Sequence, residues 1–207
     1  MSIFHFFKAP KINQPQIILD YLAKKGNPGE KIIAFDTETT GLNPNKDQIV
    51  SIGAVAINDF QLFISQVFYQ ELAVFTSHTH LNKESFSIHE IISAPSQQTE
   101  KEVLLQFIEF IENHSLLGHH VHFDIKIVNT ALKKHFNIQL YNHALDTFSI
   151  ALKHDFGGQV PAQFPQKKYT LDALCSRFQI EVQDRHHALG DAFLTARLYW
   201  SLIRNNK

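Results

Sequence analysis

The stretch KIIAFDTETTGL, residues 31–42, joins a short apolar run to a pair of acids. Ile32, Ile33, Ala34 and Phe35 are the kind of unbroken apolar run that forms a strand buried on both faces. Asp36, Thr37 and Glu38 follow at once. Side chains alternate along an extended chain, so Asp36 and Glu38 point the same way, with Cα atoms roughly 6–7 Å apart. Carboxylates that close, beside an apolar core, repel and raise each other's pKa unless a cation lies between them. A hard, oxygen-seeking divalent ion such as Mg²⁺ or Mn²⁺ suits that position. Asp, Thr and Gly are also ordinary turn and helix-cap residues, so the stretch alone supports a turn as well as a metal site. Acids arriving from elsewhere in the chain decide between the two.

A chain of 207 residues holds one well-buried domain and is short for two. Hydrophobic residues at 44% and charged residues at 19% describe a soluble globular protein. No run approaches the roughly 18 consecutive apolar residues of a membrane span. The opening MSIFHFFKAPKINQP has no basic leader, no sustained apolar centre and no small-residue cleavage pattern, so it does not read as a secretory signal. A single cysteine, Cys175, has no partner for an internal disulfide, which fits a reducing compartment. A cytoplasmic location is expected, with no membrane partner. The formal net charge of −1 excludes a protein that coats long nucleic acid by charge alone. A nucleotide substrate stays open, because bound cations reverse the local field of a carboxylate cleft.

In chain order, Pro15–Lys25 predicts a short amphipathic helix with a Gly stop, inside an N-terminal extension of residues 1–30. The main domain is expected over residues 31–205. After the opening strand, Gln48–Ile57 and Gln61–Tyr69 alternate apolar with small or polar residues, giving a three-strand antiparallel meander. From Thr99 the spacing turns helical, and Thr99 with Glu102 fits a capping box. Ser115–Gly118 reads as a short strand, Asp124–His135 and Asp146–Leu152 as helices, and His154–Lys168 as a Gly-, Pro- and Gln-rich loop. Leu171–Phe178 and Ala188–Ile203 close the chain as helices. The fold class is α/β: a mixed sheet with an antiparallel three-strand meander, flanked by helices.

Two further acids sit where a strand meets a helix or a helix begins. Asp124, in GHHVHFD, reads on its own as a helix cap. Asp191, in HHALGDA, stands one turn into the last helix among Ala188, Leu189, Ala192 and Phe193, which makes it a partly buried acid in need of a partner. Taken together, FDTETTGL, GHHVHFD and RHHALGDA resemble, in order and flanking residues, the three motifs of the DEDDh group of the DnaQ-like 3′-to-5′ exonucleases. Weaker similarities extend to Leu145–Thr147, Leu171–Cys175 and His89.

That resemblance implies a ribonuclease H-like fold in which Asp36, Glu38, Asp124 and Asp191 hold two divalent ions, Mg²⁺ or Mn²⁺. Two such ions, about 3.5–4 Å apart, activate a water and stabilise the leaving oxygen of an in-line displacement at phosphorus. Asp36 is expected to bridge both ions, Glu38 and Asp191 to complete the nucleophile side, and Asp124 to act on the leaving-group side. A histidine near the water suits general-base work, since imidazole titrates near neutral pH. Helical spacing favours His187, four residues before Asp191, whereas the family pattern His-x-Ala-x-x-Asp-Ala matches His186. His186 is chosen, on the condition that the helix starts near Ala188. His120 stands where the family usually has Asn. A zinc site built from the paired histidines is disfavoured, because Cys partners are lacking and the nearby acids suit a harder ion.

The same resemblance places Thr39, Gly41 and Leu42 against the terminal nucleotide, with Leu42 either a wedge against the base or merely core, and His89 near that pocket. The implied activity is hydrolysis of single-stranded nucleic acid from its 3′ end to nucleoside 5′-monophosphates. DNA of a proofreading or repair setting comes first, with a DNA polymerase as a partner. An RNA-trimming exonuclease, and a non-catalytic nucleic-acid-binding module, are the alternatives.

Overall fold

The computed structural model describes residues 14–58, 60–72 and 98–204. The apolar runs become Ile32–Thr39 (β1), Ile49–Asn58 (β2) and Gln61–Glu71 (β3), followed by the short strands Ser115–Gly118 (β4) and Ala144–Asp146 (β5). They form a mixed sheet in the order β3-β2-β1-β4-β5, antiparallel through the meander and parallel from β1 to β5. Asp36 lies opposite Gly53 and Glu38 opposite Ser51.

Helices Gln16–Ala23 (α1), Glu100–Ile111 (α2) and His122–Phe136 (α3) cover one face. There Ile33 and Phe35 of β1 meet Phe107, Ile108, Val128 and Leu132, and Ile18 and Tyr21 of α1 join the same core. The capping box at Thr99 and Glu102 starts α2 as its sequence predicts. Ala188–Arg204 (α6) covers the other face, where Ala192 and Ala196 let its backbone lie close over Ala34, Val55 and Leu117. Thr147–Phe156 (α4) and Leu171–Arg177 (α5) pack on the far side of α6 against Leu194, Leu198 and Leu202.

The sequence reading differs from the fold near residue 146. Ala144–Asp146 is a strand, and Asp146 is the N-cap of α4, accepting from the amides of Phe148 and Ser149. Three residues are too few to show a period, and β5 exists because β4 supplies its hydrogen-bonding partner. The helix also runs on through Phe156, ending at Gly157 in the left-handed region (φ 62°), so the loop begins later than expected. Among the described residues no helix is long and apolar enough to cross a membrane.

Candidate active site

Alternation along β1 sorts its residues between the two helical layers. Ile33 and Phe35 pack under α2 and α3, and Thr37 continues that side; Ala34 faces α6, and Asp36 and Glu38 continue toward it. Asp191, in the first turn of α6 and 6% exposed, is the acid they meet. One carboxylate oxygen from each of Asp36, Glu38 and Asp191 lies within 4.8 Å of the others. This meeting depends on Gly53, which pairs with Asp36 across β1 and β2. A Cβ at Gly53 would stand 2.2 Å from the Leu189 amide nitrogen, so only glycine lets the start of α6 settle this close to the sheet.

Asp124 comes from the opposite layer. Its Oδ1 accepts hydrogen bonds from the Thr37 amide (3.0 Å) and the Thr37 hydroxyl (2.6 Å), and it is 4% exposed. The helix-cap reading of this acid is therefore corrected: the N-cap of α3 is Val121, without a side-chain cap bond, and Asp124 lies inside the first turn. It is not one of the three clustered acids, but its charge is felt by Asp36.

Burial pushes Asp36 well above the usual carboxylate range, and the charges of Asp124, Asp191 and Glu38 push it further, against the pull of Arg185. Burial and then Asp191 raise Glu38 to about 7, opposed by His186 and Arg185. Burial raises Asp124 to about 7 although both Thr37 hydrogen bonds work against it. Such a set holds protons or a cation. Asp191 adds a buried oxygen, Oδ1, with no hydrogen-bond partner among the described residues. An all-carboxylate donor set with an orphaned buried oxygen fits a hard divalent ion better than zinc.

The two histidines separate. α6 starts at Ala188, which removes the helical argument for His187. The His187 ring stacks on Tyr69 of β3 at 4.6 Å. His186 sits in a turn at φ 60°, exposed, and its charge reaches Glu38. At the end of β4, His119 and the Gly118 carbonyl share the Thr147 hydroxyl. Burial is the main cause that lowers His119 to about 4, so its ring is neutral near pH 7. His120 occupies the left-handed region (φ 59°), which Asn and His enter more readily than most residues, and its ring lies 4.1 Å from that of Phe148.

Thr39 Oγ1 donates to the Gly41 carbonyl, and a Cβ at Gly41 would meet the Asp47 carboxylate at 2.7 Å. Leu42 is 87% exposed, which excludes the core reading. His89 lies outside the described residues. Sequence reasoning missed the roles of Thr37 and Gly53, and those of Arg185 and Asp172, which bond each other beside Asp191. Only Gly53 carries a local signal, as a glycine inside a strand pattern.

The RNase_T family model, described as an exonuclease, matches residues 33–199. Over 183 residues the chain is 32% identical to the DNA polymerase III subunit epsilon of Buchnera aphidicola subsp. Baizongia pistaciae, covering 82% of this chain and 69% of that one. To the subunit of the same name from Rickettsia felis it is 34% identical over 185 residues, covering 82% and 72%. The zinc-bound structure of E. coli exonuclease I with single-stranded DNA superposes with a TM-score of 0.70 at 16% identity, covering 86% of this chain and 41% of that one. The chain thus spans less than half of that exonuclease, and the likeness concerns the fold.

Proposed function

The chain belongs to the DnaQ-like exonuclease family that the RNase_T model describes, and from that premise we propose that it is a metal-dependent 3′-to-5′ exonuclease acting on single-stranded DNA. The observation that carries the reading is the cluster of Asp36, Glu38 and Asp191, with Asp191 Oδ1 buried and unpartnered beside an exposed His186. These three acids hold the divalent ions, and Asp124 completes the set from the far side of β1. When bound, the ions polarise the attacking water and offset charge on the leaving oxygen.

The rest falls to the chain's own side chains. His186 takes the proton of the attacking water at its imidazole. The water oxygen bonds to phosphorus, the bond from phosphorus to the 3′ oxygen of the preceding nucleotide breaks with its electron pair passing to that oxygen, which takes a proton from solvent to become the new 3′-hydroxyl, and a nucleoside 5′-monophosphate leaves. Thr39 and Gly41 shape the loop that follows the acids, and the exposed Leu42 is assigned the role of pressing against the terminal base. The relatives named as polymerase III epsilon subunits support DNA as the strand and a DNA polymerase as a partner.

The test is incubation with matched 5′-labelled DNA and RNA strands in Mg²⁺ or Mn²⁺, with Asp36→Ala alongside. Stepwise shortening of DNA from its 3′ end, lost in Asp36→Ala, is expected. Shortening of RNA alone would move the substrate to the RNA-trimming alternative, and no shortening of either would remove the enzyme reading.

A further inference from the structure

Arg185 stands between the clustered acids and a residue outside them. Its Nε donates to Asp172 Oδ1 (2.6 Å) and its Nη2 to Asp172 Oδ2 (3.2 Å), a two-point fork that fixes the guanidinium plane. The third nitrogen, Nη1, donates to Asp191 Oδ2. Asp172 belongs to the first turn of α5, whereas Asp191 belongs to α6, so the arginine ties two helices at the edge of the acid cluster. Burial works against the charge on Arg185, but its bonds to Asp172 and Asp191 outweigh that and keep it a cation. With Oδ2 engaged, the rotation of the Asp191 carboxylate is set. The oxygen left over, Oδ1, is buried and has no partner among the described residues.

We propose that Asp172 and Arg185 are positioning residues: Asp172 aims the guanidinium, Arg185 grips one oxygen of Asp191, and the other is thereby reserved for a divalent ion. Until the ion arrives, the same guanidinium offsets part of the repulsion among the acids. Asp172 also restrains Arg185 from swinging further into the cluster, where it would compete with the ion. The inference rests on reading Asp36, Glu38 and Asp191 as metal ligands. Hydrogen-bonding partners of ligand side chains commonly change metal affinity by about 10–100-fold when removed.

The test measures Mn²⁺ affinity of the full chain by isothermal titration calorimetry, together with thermal melts in EDTA. Asp172→Asn keeps the shape and the arginine's charge but loses the charged fork, and Asp172 is 57% exposed, so the fold tolerates it. Mn²⁺ binding weaker by about 10–100-fold, with the EDTA melt unchanged, is the expected result. Arg185→Met is expected to weaken binding too, although removing a positive charge would by itself strengthen it. The double variant should bind no worse than Arg185→Met, since both changes break one chain of contacts. If the wild type binds Mn²⁺ and Asp172→Asn binds it equally well, or if the two losses add, the positioning pair is overturned. A wild type that takes up no Mn²⁺ overturns the metal reading and the pair with it.

Discussion

One threonine holds the orientation of Asp124. Thr37 supplies both the amide and the hydroxyl that Asp124 Oδ1 accepts, so Thr37→Val, equal in shape, leaves a buried carboxylate with one bond fewer. A loss of about 1–3 kcal/mol in stability is expected, seen as a lower melting temperature, with slower strand shortening because Asp124 is freed to turn. His186 permits a cleaner separation of backbone from chemistry. At φ 60° an alanine is strained and an asparagine is not. His186→Asn should therefore keep the melting temperature while kcat falls by about 10²–10⁴; His186→Ala should lose the same activity with a melting temperature below that of His186→Asn. Equal kcat in His186→Asn and the wild type would remove the general base. Asp36, Glu38 and Asp191 stood out in the sequence because acids flanked by Ile, Phe, Ala and Leu need a reason, whereas Asp124 and His186 were singled out only through the family resemblance. Thr37 was not, since its partner lies 87 residues away and a threonine in a strand looks ordinary.

Helix α6 and strand β2 together set the depth of the site. Their approach at Gly53 leaves no room for a methyl group against the Ala188 carbonyl carbon, 2.3 Å from an added Cβ, or the Leu189 nitrogen. Gly53→Ala must lift the first turn of α6, and Asp191 with it. The overpacking cost is about 1–3 kcal/mol, so the variant should still fold, while Mn²⁺ affinity and cleavage fall further than the stability loss alone explains. Calorimetry and a melt on the same preparation check this, and an unchanged Mn²⁺ affinity would show that α6 does not depend on that contact. At this scale the meander, the capped α2 and the closing helix were all readable from period and punctuation. β5 was not, because a three-residue strand carries no period and is specified by its neighbour β4. The pairing of Arg185 with Asp172 is of the same kind: the fork needs α5 and α6 to be packed before the two residues meet.

Over the whole molecule, gathering like charges makes stability depend on protons and metal together. Glu38 and Asp124 titrate at about 7 in the folded chain and Asp36 well above its ordinary value, whereas unfolded Asp and Glu titrate near 4. Between those limits the folded chain keeps protons that the unfolded chain has lost. Their stabilising effect is complete below about pH 4 and is lost as pH rises through 7. His119 and His114, both lowered chiefly by burial, act in the opposite sense, but an unfolded histidine is already half deprotonated at about pH 6.5 and nearly fully so by about pH 7.5. The three raised acids therefore outweigh the histidines over the interval from about pH 6.5 to 8. In EDTA the melting temperature should fall across it, by about 2–4 °C for each kcal/mol lost. Mn²⁺ should restore more stability at pH 8 than at pH 6.5, because at the lower pH the ion must first displace protons. Asp36→Asn removes one charge from the cluster and should flatten the decline in EDTA. A wild-type melting temperature that climbs with pH over this interval would mean that the clustered carboxylates are already compensated without metal, and the electrostatic case for the ion site would fail.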